Sequence, residues 1–416
     1  LGTTNGGSIL VSAAIAWSTT KTLTLYADAY IQINANITNT YAGTPTSPTL
    51  TLQALNSSQI TAAHGVQVSS GATIDMGNGD ILITGIGYTS VSPVGPSTQG
   101  KSGVVIDSGT TVRAGGKIVF QNCIGSSGEI YSTEQYGVDV AGTVTAPSIV
   151  AIDGIVGGYG SGSNYGFYVE STGVVGNSTT TRVAIEATTM GVGSNEHGIH
   201  VASGGQIIVG SGGSGGTLAL TGIGGGLYNS SGSGNSGIVL DGAALSVGVG
   251  GSSANAITLT GIGGTGTGGG HHGVSVTTSA TVNLNGTNPA DALTFLNCSG
   301  GTGGSGNYGV NLAAALAMVH GALQFTNVTG GSGTSTSSGN YGLSISAAVS
   351  APSIVGEDIF GGPGTNTNYG LYVNGGTLGN AATTNQIYIQ AGSLGLGSNE
   401  YGIYVNSGSV VVGNGG

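Results

Sequence analysis

Carboxylates are the most numerous side chains here that could do acid–base chemistry. The 416-residue chain has 16 Asp and Glu against five Lys and Arg, a formal net charge of −11. A glycosidase needs two carboxylates across one cleft. The one adjacent pair, Glu357 and Asp358, aligns with Ile152 and Asp153 in an earlier stretch of similar sequence, so the pair is not repeated. We therefore predict no catalytic residues, and a polysaccharide-active enzyme is the remote alternative.

Two cysteines and six histidines are the other side chains with reactive or metal-binding groups. Cys123 and Cys298 fall in different repeats of the pattern described below, about 24 Å apart if the repeats stack at the spacing of β-strands, which is too far for a disulfide. We expect both to be buried as small apolar side chains. The histidines show no regular ligand spacing, and Asp80 lies in a lone fragment of a calcium-repeat motif. The sequence predicts no metal and no cofactor.

The elements that would position these residues follow from a repeat. A glycine followed by an alternating hydrophobic strand occurs eleven times, at intervals of 28 to 39 residues. One interval holds short apolar strands at 199–201, 206–209 and 217–220, followed by a Gly/Ser-rich loop. This pattern is typical of a stacked-repeat protein. It predicts an all-β fold, a parallel β-helix with three short strands per coil. The signature glycines are Gly65, Gly103, Gly137, Gly166, Gly198, Gly237, Gly273, Gly309, Gly342, Gly370 and Gly402.

Composition excludes several classes of protein. The 86 glycines do not recur at every third residue, which excludes collagen, and the 38 % of hydrophobic residues lie in alternating strands, which disordered chains lack. Five basic residues cannot form a stripe that meets phosphates, so we predict no nucleic-acid partner. No apolar run is long enough to span a bilayer, so this segment is not expected to insert into a membrane.

Residues of one type recur at equivalent places within the third strand. Some strands carry Phe and then Asn two residues later, whereas others end in Ile. We expect these side chains to stack as inward ladders, with the asparagine amides hydrogen bonded along the stack. Asn297 begins an N-glycosylation sequon, and an inward side chain there would be a poor acceptor. The ladder residues are Phe120, Phe295, Phe325, Asn122, Asn297 and Asn327, with Ile86, Ile223 and Ile262 in the second variant.

Aromatic residues precede most signature glycines, often after an asparagine. One interpretation is structural: a column of rings beside a column of asparagines closes each coil at a turn. The other is functional: an exposed row of tyrosines about 5 Å apart grips glycans or a neighbouring fibre. We favour the structural interpretation and keep the second open. The tyrosines of this column are Tyr136, Tyr165, Tyr308, Tyr341, Tyr369 and Tyr401.

The sequence also has a longer repeat, made of several short repeats, which predicts the organisation of the chain. Residues 145–150 return at 350–355, and residues 193–201 return at 397–405, in each case about six short repeats later. The sequence predicts one continuous solenoid made of an N-terminal shorter-coil segment at 1–64, two glycine-led coils at 65–136, a six-coil block at 137–341 and a partial second copy of it at 342–416. A loop at residues 45–48 is expected to join the shorter coils to the rest.

The N-terminal segment carries a family resemblance. Leu23, Leu25 and Ala27, followed by Ile31, Ile33, Asn34, Ala35 and Ile37, form a pattern that resembles the repeats of filamentous-haemagglutinin-like exoproteins and β-helical autotransporter passengers. The resemblance covers about 60 residues. It implies secretion across a bacterial envelope, a parallel β-helix and a role in adhesion, surface display or fibre formation.

These observations lead to one functional prediction and one main alternative. We predict a non-enzymatic secreted structural protein, a stiff rod of about a dozen coils and roughly 60 Å that forms part of a bacterial extracellular filament or surface fibre. Its expected partners are copies of itself, joined end to end or laterally. The alternative is an adhesin that binds glycans or neighbouring cells through its loops or its tyrosine column.

Overall fold

A computed structural model describes residues 7–43, 48–55, 63–87, 101–126, 133–210, 215–226, 231–249, 253–333 and 337–413. Residues 45–47 of the expected connecting loop lie outside this part. The described residues form four parallel sheets along one solenoid, the four-stranded one continuing the line of the nine-stranded one, and no helix occurs among them. The predicted all-β parallel β-helix with three strands per coil is confirmed.

Most coils contribute one strand to the first sheet, one to the second sheet or its continuation, and one to the third. The first sheet consists of Ile9–Val11, Ile31–Ile33, Val66–Val68, Val104–Ile106, Val138–Val140, Phe167–Val169, Ile199–Val201, Ile238–Leu240, Val274–Val276, Val310–Leu312, Leu343–Ile345, Leu371–Asn374 and Ile403–Asn406. The second consists of Ile15–Trp17, Ile37–Asn39, Thr73–Asp75, Thr111–Arg113, Thr143–Thr145, Val174–Asn177, Gln206–Gly210, Ala244–Val249 and Thr281–Leu284, and continues as a separate four-stranded sheet of Leu316–Ala317, Ala348–Ser350, Thr377–Leu378 and Ser409–Val410.

The third sheet has the longest strands. It consists of Leu23–Ala27, Pro48–Ala54, Asp80–Gly85, Lys117–Phe120, Cys123–Ile124, Ser148–Gly157, Arg182–Thr189, Thr217–Ile223, Ala256–Ile262, Ala292–Ser299, Ala322–Thr329, Ser353–Gly361 and Gln386–Ser393. Thirteen strands of the first sheet at the usual strand spacing give a rod of roughly 60 Å.

Alternation within the strands builds one continuous core. In the first sheet, the first and third residues of each signature strand point inward: Ile199 and Val201 are fully buried, whereas His200 between them is half-buried and faces outward. The pairing is in register, so Ile199 lies against Ile238 in the next coil. The same buried cluster extends from Val11 to Leu378. Apolar side chains of every coil therefore stack on those of the next.

The N-terminal repeat is part of the same solenoid. Ile9 pairs with Ile31, 22 residues later, and Leu23 pairs with Leu50. Ile31 in turn pairs with Val66, at the first signature glycine. The shorter first coil thus stacks directly on the longer ones. The division of the chain into the four predicted segments stays a prediction.

The signature glycine has a steric cause. A Cβ on Gly273 would lie 2.5 Å from the carbonyl oxygen of Gly309 in the next coil and 2.6 Å from that of Gly261 at the end of a third-sheet strand. Gly103 is confined in the same way, by Gly137 on one side and Gly85 on the other. None of these glycines needs a positive φ. The glycine is required because backbones from two directions approach it too closely for a side chain.

The predicted inward ladder of asparagine and isoleucine is wrong. Asn122, Asn297 and Asn327 are exposed, and each adopts a positive φ of 49° to 54°. They lie at a bulge in the third-sheet strands, where Asn and Asp tolerate the left-handed conformation better than other residues do. The bulge turns the side chain outward, and only Asn297 and Asn327 are joined by an amide hydrogen bond, of 2.9 Å. Ile223 and Ile262 are likewise 38 % and 41 % exposed.

This bulge also accounts for the acidic pair. Asp153 and Asp358 are exposed and have φ values of 59° and 54°, so they occupy the same kind of left-handed position as the three asparagines. Glu357 beside Asp358 is exposed on the outer surface of the sheet. Asp153 and Glu357 therefore lie in different coils. Aspartate is favoured at the bulge because it tolerates the left-handed backbone conformation.

The phenylalanines and cysteines do point inward. Phe120, Phe295 and Phe325 are fully buried, and the rings of Phe295 and Phe325 stack 5.2 Å apart. Cys123 and Cys298 are free thiols, both fully buried. Cys298 pairs in register with Val328, and burial raises the pKa of both thiols to about 12. The expectation that the cysteines serve as small buried apolar side chains is confirmed.

Candidate functional site

A column of rings follows one edge of the first sheet. It is formed by the residue before each signature glycine and is called here the ring column. Tyr136 stacks on Tyr165 at 5.2 Å, Tyr308 on Tyr341 at 5.0 Å, and Tyr341 on Tyr369 at 5.3 Å. Tyr401 stacks on Tyr369 at 5.6 Å. Each ring lies face to face with its neighbours, and Tyr136, Tyr165 and Tyr369 are buried.

A second aromatic column, which the sequence analysis missed, runs beside the first. It consists of the outward middle residue of the signature strand, three positions after the ring-column residue. Tyr168, His200, Tyr372 and Tyr404 lie here, and Tyr168 packs 4.8 Å from the Tyr136 ring. The signal was available in the sequence, since these residues alternate with buried ones in the signature strand. The two columns together form one aromatic face of the rod.

The aromatic face has two clusters. The first is made of Tyr136, Tyr165, Tyr168, His197 and His200. The second lies at equivalent positions six coils later, which corresponds to about 29 Å at the usual strand spacing. In that cluster Tyr401 and Tyr404 stand at the positions of His197 and His200, and His272 and Tyr308 extend it toward the first cluster. Its members are His272, Tyr308, Tyr341, Tyr369, Tyr372, Tyr401 and Tyr404.

A buried polar ladder lies beneath the ring column, one residue earlier in each coil. The side chain at each rung accepts a backbone N–H from the coil before: Asn307 Oδ1 accepts from His271 N at 2.9 Å, and Asn340 Oδ1 accepts from Asn307 N at 3.1 Å. Asn368 and Asn164 make the same contact. All are fully buried. The ladder satisfies amides that the loops would otherwise bury without partners.

Replacing Asn307 with alanine tests this ladder. The change leaves the amide of His271 and the carbonyl of Gly304, which accepts from Asn307 Nδ2 at 2.7 Å, without partners. We expect the local free energy of unfolding to fall by about 2 kcal/mol, the cost of burying unsatisfied groups. Hydrogen exchange of amides in the surrounding coils measures this. Asn311→Ala is the control, because that outward amide makes only a 3.5 Å contact with Ser275. Equal effects of the two changes would contradict the ladder.

The histidines of the aromatic face are neutral rings. Burial lowers the pKa of His197 well below its usual value, and burial followed by the proximity of His271 lowers that of His272 to about 4. Nδ1 of His197 accepts the backbone N–H of Ser236 at 3.2 Å, and Nδ1 of His272 accepts that of Tyr308 at 3.2 Å. These side chains close the coil as stacked, uncharged rings, in agreement with their place among the tyrosines.

Two shallow cavities open on the aromatic face. One encloses about 500 Å³ between Tyr165 and Thr277, and the other about 520 Å³ between Gly270 and Asn374. They share Gly270 and His272, so they form one groove parallel to the rod axis. Its lining combines rings with hydroxyl and amide groups, and Asp241 is its one carboxylate. Such a groove suits a neutral ligand with apolar faces and polar edges.

A buried carboxyl group next to this face was also missed by the sequence analysis. Asp139 is 8 % exposed, and its Oδ1 has no hydrogen-bond partner. Burial, followed by the neighbouring carboxyl of Glu170, raises the pKa of Asp139 well above its usual value. Asp139 therefore favours its neutral, protonated form. Neither Asp139 nor Glu170 lines the two cavities, and the second cluster has Ser344 at the position of Asp139.

The predicted residues thus separate into two places. The six column tyrosines lie on the aromatic face, whereas Asn122, Asn297 and Asn327 lie at the bulge of the third sheet. In the described part of the chain, no three His, Cys, Asp or Glu side chains are grouped so as to hold a metal ion. Nor does that part contain a helix long and apolar enough to cross a membrane.

Comparison with known proteins gives no assignment. No protein-family model matches this chain, and neither does any curated protein sequence or any solved structure.

Proposed function

We propose that this chain is a non-enzymatic structural rod, secreted to the exterior of a bacterial cell and built into an extracellular filament or surface fibre. The observation that carries the proposal is the in-register pairing of strands through thirteen successive coils around one continuous core. A backbone hydrogen-bond ladder along the axis gives such a rod axial stiffness. The resemblance of the N-terminal repeats to filamentous-haemagglutinin-like exoproteins supports the secreted location.

Self-association is the assembly that this proposal requires. A net charge of −11 spread over 416 residues gives only a weak field between neighbouring rods. Main-chain hydrogen bonds between the terminal strands of two copies would follow the geometry of strand addition. End-to-end assembly would then continue the three sheets and their 4.8 Å spacing from one copy into the next.

Electron microscopy and fibre diffraction of the purified chain test the proposal. Filaments much longer than the roughly 60 Å of one rod, with a 4.8 Å repeat along the axis, would support it. Sedimentation velocity over a wide concentration range gives the complementary measurement, because assembling rods increase in mass with concentration. Monodisperse rods at every concentration would contradict the filament.

A second candidate function is adhesion through glycans. The groove on the aromatic face favours it, since its lining mixes stacked rings with Asn311, Ser344 and other polar side chains. The two functions are compatible, because a rod can display a groove along its length. Short rods ending at the cell surface, rather than long fibres, would favour adhesion as the main role.

A further inference from the structure

Four successive strands of the third sheet present an outer face without charge. No Asp, Glu, Lys, Arg or His occurs in Thr217–Ile223, Ala256–Ile262, Ala292–Ser299 or Ala322–Thr329. Alternate residues of each strand point outward, and most of these are Thr, Ala, Ile or Leu. The outward residues of these four strands are called here the neutral face.

The neutral face has a central row of small side chains and an apolar margin. In the central row Ala219 pairs in register with Thr258, and the row begins one coil earlier at Ala184, which pairs with Ala219. At the margin Ile223 and Ile262 lie side by side and are 38 % and 41 % exposed. A second surface could therefore approach closely along the middle of the face and cover the isoleucines at its margin.

The charges that flank the neutral face have a self-complementary arrangement. In the strand before it, Arg182 and Glu186 are exposed, and each lies two residues from Ala184 of the central row. A two-fold axis parallel to the rod and above this row would place Arg182 of each copy opposite Glu186 of the other. In the strand after the face, the same axis places Glu357 opposite Ser353. Antiparallel rods centred on the face would instead bring Glu186 against Glu357, because both lie in one row.

We propose that the neutral face is a lateral interface between two copies of this chain, whose rods run parallel around that two-fold axis. This interface rests on the proposed function, because it would join the rods of a fibre side by side. Four residues separate Ile223 from Ala219 and Ile262 from Thr258, so the isoleucines of one copy would lie over Gly215 and Ala254 of the other. Glycine and alanine leave room for the larger side chains, as a complementary interface requires.

The size of the face suits a specific dimer. Seven residues along each strand at about 3.3 Å, and six strands from Arg182–Thr189 to Ser353–Gly361 at about 4.8 Å, give roughly 650 Å² per copy. Two such areas total about 1,300 Å², which lies within the range of specific protein interfaces. The four central strands carry no charge, so their contact would require no ion to lose its water.

Sedimentation velocity of the unmodified chain and of Ile262→Lys tests the interface. We expect the unmodified chain to form particles of twice its mass and the variant to dimerise at least about tenfold more weakly, because an ammonium group would enter an uncharged contact. Ile208→Lys is the matched control, since Ile208 is partly exposed on the second sheet, away from this face. It should dimerise like the unmodified chain. Equal dimerisation of all three proteins would overturn the interface.

Charge reversal tests the parallel orientation. Arg182→Glu alone would set two carboxylates against each other at both ends of the two-fold contact, and we expect dimerisation to weaken about tenfold. The double variant Arg182→Glu, Glu186→Arg restores opposite charges and should recover the unmodified affinity within about twofold. A double variant that dimerises no better than Arg182→Glu would overturn the parallel arrangement.

Electron microscopy of the same samples separates this interface from the filament. Filaments joined side by side in the unmodified chain that become single in Ile262→Lys would support both. Single filaments of the unmodified chain would overturn the lateral interface and leave the filament standing. Short rods joined side by side, without filaments at any concentration, would support the interface and contradict the filament.

Discussion

Replacing Gly273 with alanine is expected to lower the local free energy of unfolding by about 3 kcal/mol, the upper part of the range for overpacking a dense interior. The added methyl group would meet the carbonyl oxygens of Gly309 and Gly261 at 2.5 and 2.6 Å. The carbonyl of Gly309 cannot retreat freely, because it accepts the amide of Val274 at 3.0 Å and so holds two coils together. The strain would therefore weaken the strand pairing in the first sheet.

Gly162→Ala is the matched control for this prediction. A Cβ at Gly162 would have its nearest neighbour, the carbonyl oxygen of Ser194, at 3.6 Å, which is ordinary van der Waals contact. Hydrogen exchange resolved along the chain should show amides of the coils around Gly273 exchanging faster in Gly273→Ala only. Local measurement is needed because coils of a solenoid open semi-independently. If both variants behave like the unmodified chain, close backbone approach is not the reason for the glycine signature.

The repeat signature allowed the coil, its three strands and much of the core to be predicted from the sequence. The alternation of apolar and polar residues that buries Ile199 and Val201 is visible in the sequence of each signature strand. The pairing register follows, because a shift by one residue would turn the apolar side chains of the strand outward. The steric cause of the glycine could not be predicted. It depends on third-sheet strands ending beside Gly273, which no local pattern reveals.

The inward asparagine ladder failed for a related reason. Asn297 lies two residues after the buried Phe295, so simple alternation places it in the core. The left-handed bulge at Asn297 inserts a residue into the strand and reverses that alternation, which returns Cys298 to the core. The repeated asparagine indicates a left-handed backbone conformation at the bulge and not a hydrogen-bonded ladder in the core.

The groove was beyond prediction because it depends on several coils at once. The ring column was visible in the sequence, but the cavity beside it forms only because side chains of several coils, among them His197, Asp241 and His272, come together along the rod. These residues are up to 75 positions apart in the chain.

The largest effect of pH on this rod is expected from Glu196. This side chain is fully buried in the polar ladder, where its carboxyl oxygens accept from the backbone N and from Nδ2 of Asn164, at 3.0 and 3.1 Å. Burial raises the pKa of Glu196 from its usual 4.5 to about 8, although hydrogen bonds from Asn164 and Gly193 favour the charged form. The folded state therefore binds this proton more tightly than the unfolded state does.

The sign of the pH dependence follows from that difference. Below pH 4.5 both states are protonated, and the contribution of Glu196 to stability is fully present. It decreases as the pH rises from 4.5 and is lost by about 8, where the folded state also releases the proton. A shift of this size corresponds to roughly 5 kcal/mol in the local free energy of unfolding. The rod should be less stable at pH 8 than at pH 4.5 around this coil.

Glu196→Gln should remove this step, because glutamine does not titrate. We expect stability around this coil to become independent of pH between 4.5 and 8, measured by hydrogen exchange of the neighbouring coils. Glu400→Gln is the control: Glu400 accepts the same two bonds from Asn368, at 2.9 and 3.0 Å, but is only partly buried. Its replacement should leave the step in place. A step that persists in Glu196→Gln would show that another buried acid, such as Asp139, dominates the pH dependence.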